Sequence, residues 1–155
     1  MDKKVLVDCY PSRDGDVLRI DIQQQQDLDK LVEFFQSLAN GKQVRRDLPE
    51  LGNILFTKYV ESVTCRLVGK EPRKALVARE LRDGLFSFVW SRSSEGWLEC
   101  AELLQPPPHE PISLEGMRTG PGWHQYLSSQ GRDDALVEVA YGEPRPAGLE
   151  KLLRG

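Results

Sequence analysis

The sequence has few cysteines and histidines and no long apolar run, and each shortage excludes a class of protein. The three cysteines among 155 residues, Cys9, Cys65 and Cys100, form no C-x-x-C pair, so the usual zinc spacing is absent. Their odd number does not favour a disulfide framework, and we expect them to be small buried apolar residues. No apolar stretch approaches the roughly 18 residues that span a membrane. The opening MDKKVLVDCYPS lacks a signal-peptide apolar core, so we expect a cytoplasmic protein.

Catalytic and ligand-binding motifs are also missing. There is no G-x-S-x-G elbow for a serine nucleophile. Glycines at 116–122 precede no Lys-Ser/Thr pair and predict a loop rather than a phosphate site. Asp14-Gly15-Asp16 lacks the other ligands of a calcium loop and is typical of a turn. We therefore assign no catalytic, cofactor-binding or metal-binding residue and expect a protein that is not an enzyme.

The composition is that of one folded domain. The chain is 39% apolar and 29% charged, which suits a packed core rather than disorder. A length of 155 residues predicts a single domain over 1–155. The formal net charge of -3 is too small to indicate nucleic acid or a membrane surface as a partner.

The first part of the chain predicts a hairpin followed by a helix. Residues 4–10 and 17–22 have strand character and are joined by the turn sequence PSRDGD. In the second strand Val17, Arg19 and Asp21 alternate with apolar residues, as in a half-buried strand. A helix follows, with Asp27 as its predicted cap, an apolar face at helical spacing and Gly41 at its end.

The middle of the chain predicts a meander of four antiparallel strands. Residues 57–69, KALVARELR, LFSFVWSR and 97–104 each have strand-like composition, and Asp83-Gly84 is a strong hairpin signal. Residues 105–122 are rich in proline and glycine and predict a long loop. WHQYL, a strand at 135–142 and a short terminal helix complete the chain. The expected fold is α+β, an antiparallel sheet of about six or seven strands with one main helix on a face.

His124 raises the clearest catalytic question. Asp133 and Asp134 follow it and are able to orient a histidine if the intervening SSQGRDD folds back, which is part of a nucleophilic triad. No nucleophile accompanies them, and aspartates in a turn sequence also bond to their own backbone. An enzyme using His124 with Asp133 or Asp134 therefore remains an alternative.

Basic residues provide a second alternative. Arg45 and Arg46, with Arg73 and Lys74, would contact phosphates if they shared a face. Acidic residues lie among them, and no RNA-binding aromatic strand or zinc-finger spacing accompanies them. A solvated sheet face of mixed charge is the default interpretation, and a nucleic-acid adaptor acting through this basic hairpin is kept as an alternative.

Tryptophan, tyrosine and arginine dominate the energetics of protein interfaces, and the sequence places several of them near turns and in the long loop. Size, mild acidity, strand order and the GWHQYL…DDALVEVAYGE tail resemble small cytoplasmic immunity proteins of bacterial polymorphic-toxin systems. The resemblance implies a compact α+β domain that neutralises a cognate toxin by covering its active site. It implies a protein partner, and the absence of cofactor motifs predicts no cofactor. On this interpretation the predicted contact residues are Trp97, His109, Arg118, Trp123, His124 and Tyr126.

Overall fold

The computed structural model describes residues 3–13, 15–105, 122–127, 137–145 and 149–153. These residues form an α+β fold with nine strands in two sheets and two α-helices. The predicted loop at 105–122 lies, apart from its first and last residues, outside the described residues. No helix in the described part is both long and apolar enough to cross a membrane.

The elements follow one another in the order β, β, α, β, β, β, β, β, α, β, β. Their bounds are β1 Val5–Ser12, β2 Gly15–Ile22, α1 Gln25–Ala39, β3 Arg45–Asp47, β4 Ile54–Phe56, β5 Val60–Leu67, β6 Leu76–Arg82, β7 Leu85–Arg92, α2 Ser94–Leu103, β8 Trp123–Tyr126 and β9 Val137–Tyr141. Short 3₁₀ helices lie at Leu48–Leu51 and Leu149–Leu152.

The structure confirms the opening hairpin and the first helix that the sequence predicts. β1 and β2 pair in antiparallel register around the predicted turn. Helix α1 ends at Ala39. Gly41 follows with a φ of 79°, which is the left-handed conformation that favours glycine. Asp27 is not the cap, because the helix begins two residues earlier, and its buried carboxylate instead accepts a hydrogen bond from Asn53.

The first sheet has the order β4-β1-β2-β9-β8 and is mixed. β4 runs parallel to β1 and β9 runs parallel to β2, whereas β8 is antiparallel to β9. One side of the sheet is apolar, including Val7, Ile20 and Val139, and joins the core. The opposite side carries the alternate residues of these strands and is described below.

The second sheet has the order β3-β5-β7-β6 and is also mixed. Asp83-Gly84 forms the predicted β6–β7 hairpin, with Gly84 at a φ of 76°. β5, however, pairs with the other edge of β7 and runs parallel to it. The prediction of a single antiparallel sheet and a four-strand meander was therefore wrong, because strand pairing follows which edge packs over the core rather than chain order alone.

Residues 97–104, predicted as a strand, lie mostly in helix α2. The Ser93 side chain caps this helix by accepting a hydrogen bond from the Gly96 amide at 3.1 Å. Trp97, Cys100, Ala101 and Leu104 are buried at helical spacing. The serines before Trp97 are therefore a helix start and not a hairpin turn.

The two sheets and two helices contribute to one continuous apolar core. At its centre, the Phe35 ring lies 5.5 Å from the Trp97 ring and 5.4 Å from the Trp90 ring, between centroids. The Trp97 side chain has 0% exposure, and its indole nitrogen donates to the carbonyl oxygen of Arg66 at 2.9 Å. Trp90 and Trp97 are neighbours as expected, but across a strand and a helix.

A charged cluster lies beside this aromatic group, where the loop before β6 meets the start of α2. The Arg92 side chain is only 1% exposed, and its Nε lies 2.6 Å from Glu71 Oε1. The second Glu71 oxygen accepts hydrogen bonds from the Ser93 amide and hydroxyl, at 2.9 and 2.6 Å. Arg92 also donates to the Cys100 sulfur at 3.0 Å. We call Glu71, Arg92, Ser93 and Gly96 the helix-start cluster.

The cysteines confirm the expected burial in two cases of three. Cys65 and Cys100 are fully buried, and Cys9 is half-buried. Burial raises the pKa of Cys100 to about 12, despite the neighbouring Arg92, and raises the pKa of Cys65 well above its ordinary value. Cys100 lies in a helix rather than in the predicted strand.

Candidate functional site

The outer side of the first sheet collects ionisable side chains that are distant in sequence. Strand alternation places Asp8 and Tyr10 of β1, Arg19 and Asp21 of β2, Glu138 of β9, and His124 and Tyr126 of β8 on this side. The segment after β9 adds Glu143 and Arg145. We call these nine residues the acidic face, because among them four carboxylates accompany two guanidinium groups.

Arg19 lies at the centre of the acidic face. Its guanidinium donates to Glu138 at 3.0 Å and to Glu143 at 3.1 Å. Burial alone would lower the pKa of Arg19, but the charges of Glu138, Asp21 and Glu143 outweigh it and raise that pKa. The side chains of Glu138 and Glu143 are 5% and 24% exposed, so the pairs are partly shielded from water and screened less than surface pairs.

Tyr10 extends the same network toward β8. Its hydroxyl donates to Glu138 at 3.3 Å. Burial, a hydrogen bond with Tyr126 and the charge of Glu138 raise the pKa of Tyr10. The Tyr10 hydroxyl is therefore held neutral between a carboxylate and an exposed aromatic residue.

Asp21 and Arg145 fasten the segment after β9 to the sheet. The Arg145 Nε lies 3.4 Å from Asp21 Oδ2, and its side chain also donates to the carbonyl oxygens of Asp21 and Lys4. Burial raises the pKa of Asp21 and outweighs the opposing effect of Arg145. Gln23 donates to the other Asp21 oxygen at 3.0 Å, so one oxygen of this carboxylate accepts a hydrogen bond and the other forms an ion pair.

A cleft of about 270 Å³ opens between the sheet and the C-terminal segment. Its polar part consists of Asp8, Arg19 and Asp21, and its apolar part of Leu6, Pro144, Leu149 and Leu152. Asp8 Oδ1 accepts from the buried Thr57 hydroxyl and from the Cys9 amide, each at 2.8 Å. Among the described residues no donor hydrogen-bonds to Asp8 Oδ2. The cleft therefore offers a fixed carboxylate beside an aliphatic wall.

His124 and Tyr126 lie on β8, which is an edge strand of the first sheet among the described residues. Their rings meet edge to face at 6.2 Å between centroids. The His124 side chain is 51% exposed, and its Nδ1 lies 3.5 Å from Glu143 Oε2. Tyr126 is 42% exposed, so these two side chains form an accessible border of the acidic face.

The predicted contact residues differ in their exposure to solvent. The structure leaves His124 and Tyr126 at the surface, whereas Trp123 is buried at 9% exposure against Tyr141. Trp97 is withdrawn from the contact set, because its position on the inner side of α2 places it in the core. His109 and Arg118 lie outside the described residues.

For the catalytic alternative, the described residues provide an acid beside His124 but no nucleophile bonded to it. Glu143 accompanies His124, whereas Asp133 and Asp134 lie outside the described residues. No serine, threonine or cysteine in the described ranges hydrogen-bonds to His124, so the pair has no group there to activate. In the same part of the chain no cluster of three or more His, Cys, Asp or Glu residues is arranged to bind a metal.

The four residues of the nucleic-acid alternative differ in their surroundings. Arg46 lies over the Phe34 ring at 4.5 Å and donates to Glu50 and Ser37, which makes it part of the local packing. Arg45 is exposed on β3, and Arg73 and Lys74 are exposed in the loop before β6.

Sequence reasoning missed most of the acidic face. The alternation in β2 marked Arg19 and Asp21 as sharing one side, and that signal was sufficient to place them. To place Glu138 beside Arg19, one must know that β9 pairs with β2, which is a contact between distant segments. Glu143 and Arg145 lie after the last strand and had no periodic signal.

No protein-family model, curated protein or solved structure matches this chain.

Proposed function

We propose that the chain is a non-catalytic protein-binding domain that binds a basic protein partner on its acidic face. The observation that carries this proposal is the cleft lined by Asp8 and Asp21, on the same side of the first sheet as the exposed pair His124 and Tyr126. Electrostatic complementarity between partners directs encounter and fixes register. An excess of carboxylates on one side of the first sheet favours a partner of positive charge.

The cleft suits a lysine or arginine side chain of that partner. Such side chains have an aliphatic stem and a cationic head, and the cleft provides Leu149 and Leu152 for the stem and Asp8 for the head. Arg19 stays occupied by Glu138 and Glu143, which limits its repulsion of an incoming cation. Tyr126 adds exposed aromatic area of the kind that often dominates binding energy.

We further propose that the partner is a toxin and that the chain is a bacterial immunity protein acting in the cytoplasm. Size, acidity and the WHQYL-to-AYGE tail support this through their resemblance to such proteins. A toxin domain that acts on nucleic acid presents a basic active-site surface, and an acidic face would cover that surface. The proposal predicts one partner at equal stoichiometry.

The test is a comparative capture experiment. The immobilised protein is exposed to nuclease-treated lysate of its source organism, in parallel with Tyr126→Ala, Asp8→Asn and the control Leu81→Ala. Leu81 is 45% exposed on β6 of the other sheet. We expect one stoichiometric basic protein bound by wild type and by Leu81→Ala, with about tenfold weaker binding by Tyr126→Ala.

Two outcomes would overturn the proposal. Equal capture by all variants would remove the acidic face as the binding site, and an empty column would remove the binding function. If a partner is captured, growth arrest by that partner expressed alone and relief by co-expression of this chain would support the immunity role. A partner without toxicity would refute that role while leaving protein binding intact.

A further inference from the structure

The outer side of the second sheet carries arginine side chains, so its charge is opposite in sign to that of the acidic face. Strand alternation places Arg45 of β3, Thr64 and Arg66 of β5, and Val89 of β7 on this side. Together with Val44 and Leu67 they line a groove of about 470 Å³. We call this the basic groove. It lies on a different sheet from the acidic face and shares no residue with it.

Arg45 and Arg66 are direct cross-strand partners in the β3–β5 ladder. Like charges placed directly opposite each other on neighbouring strands are destabilising. Arg45 forms an ion pair with Asp47, whose Oδ1 lies 3.9 Å away and also accepts from the Thr64 hydroxyl at 3.0 Å. Within the described part of the chain no carboxylate forms an ion pair with Arg66. An anion bound between the two guanidinium groups would relieve this repulsion.

The floor of the basic groove is apolar, which distinguishes it from a site for a small inorganic anion. Val44 is 66% exposed at its rim, and Leu67 and Val89 are half-buried beneath it. A groove of this volume falls within the range of ligand sites. Its occupant therefore combines carboxylates or phosphates with an aliphatic group.

The position of the aromatic residues in this sheet favours a peptide over a nucleic acid as the occupant of the basic groove. Single-stranded nucleic acids bind sheet surfaces by stacking bases on exposed aromatic rings. Phe86, Phe88 and Trp90 all belong to the opposite side of β7 and pack against the core. Guanidinium groups, in contrast, form bidentate bonds with carboxylates without any stacking surface.

We propose that the basic groove binds a short acidic peptide segment in extended conformation, with two carboxylates at alternate positions on Arg45 and Arg66. In an extended peptide, alternate side chains point to one side and are about 6.5–7 Å apart, which two arginine side chains from neighbouring strands are able to span. A third side chain on that side, two positions further on, is aliphatic and contacts Val89. The occupant is a protein segment other than the basic partner of the acidic face.

The test uses a defined probe, acetyl-Glu-Ser-Glu-Ser-Leu-Ser amide with a fluorescent label, and the matched peptide with both glutamates replaced by glutamine. Fluorescence anisotropy at low and moderate salt measures binding to the full chain. We expect the acidic peptide alone to bind, with affinity that falls as salt rises. Arg45→Ala and Arg66→Ala should each weaken binding about tenfold, since each removes charge-assisted hydrogen bonds.

Arg13→Ala is the matched control, because Arg13 is an exposed arginine outside the groove, next to the β1–β2 turn. It removes the same charge and should leave the affinity unchanged. Equal weakening by Arg13→Ala would show nonspecific attraction and overturn the site. Circular dichroism of each variant verifies that the fold is kept.

Three further results would overturn the proposal. They are absence of peptide binding at millimolar concentration, tighter binding of a single-stranded oligonucleotide than of the acidic peptide, and concentration-dependent self-association that Arg66→Ala abolishes. The second result would make nucleic acid the occupant, and the third a second copy of the chain. The acidic face is tested by its own variants, Tyr126→Ala and Asp8→Asn, so the proposed function and this site are tested separately.

Discussion

Replacement of Glu71 by glutamine tests whether the helix-start cluster stabilises the fold. The Glu71 carboxylate accepts from Arg92 at 2.6 Å and from the Ser93 amide and hydroxyl at 2.9 and 2.6 Å. Glu71→Gln preserves the shape and one carbonyl oxygen but removes the negative charge. The Arg92 guanidinium, at 1% exposure, then keeps its longer ion pair with Glu99, with 4.0 Å between the paired atoms.

The expected loss follows from the burial of the two partners. Removal of one partner of a buried ion pair costs about 3–5 kcal/mol, because the other charge remains in a poorly solvated site. The Glu71 side chain is 24% exposed and glutamine keeps an acceptor, so we expect about 2–3 kcal/mol in the free energy of unfolding. For a chain of this size that corresponds to a decrease in Tm of about 5–10 °C.

Urea unfolding followed by tryptophan fluorescence measures this loss, because Trp90 and Trp97 become exposed when the core opens. Glu33→Gln is the matched control, since Glu33 is exposed on α1, and it should change the free energy of unfolding by less than about 0.5 kcal/mol. If Glu71→Gln is as stable as that control at neutral pH, the ion pair does not stabilise the fold and the reasoning is wrong.

The pH dependence of the same difference provides a second test. Burial would raise the pKa of Glu71, but hydrogen bonds from Ser93 and Arg92 and the charge of Arg92 outweigh it and lower that pKa below its ordinary 4.5. The folded state thus binds this proton less tightly than the unfolded chain, so the stabilisation is complete above the ordinary value. It is lost as the pH falls through the lower folded-state pKa. The difference between wild type and Glu71→Gln should therefore shrink in acid, and a difference that grows there would contradict the assignment.

Three other predictions address packing. Gly96→Ala should destabilise the protein by about 1–3 kcal/mol, because an added Cβ would lie 2.6 Å from Glu71 Oε2 and 2.7 Å from Arg92 Nε; Gly69→Ala, with no neighbour within 4 Å, is its neutral control in urea unfolding. Cys65 and Cys100 should react with a thiol reagent in mildly alkaline buffer only after denaturant is added, since burial raises both pKa values, and rapid labelling of the native protein would refute this. Trp97→Ala should cost about 3–5 kcal/mol of stability, and a normally stable variant that loses only binding would return Trp97 to the interface.

The elements that sequence predicted correctly are those whose signals are local. The β1–β2 hairpin follows from its turn residues, α1 from an apolar face at helical spacing, and the β6–β7 hairpin from Asp83-Gly84. The helix over residues 94–103 also had a local signal, in the Ser93 cap and the spacing of Trp97 and Cys100. That segment was misassigned because a short apolar run fits a strand and a helix alike.

The candidate sites, too, were predictable from the sequence only where their residues are close together along the chain. The sequence by itself determined that Arg19 and Asp21 share one side of β2, because side chains alternate along any strand. Only the tertiary structure decided that Glu138 lies beside Arg19, that Arg45 lies opposite Arg66, and that two mixed sheets replace one antiparallel sheet. Which strand edges meet depends on how distant apolar faces cover a common core, and no local pattern contains that information.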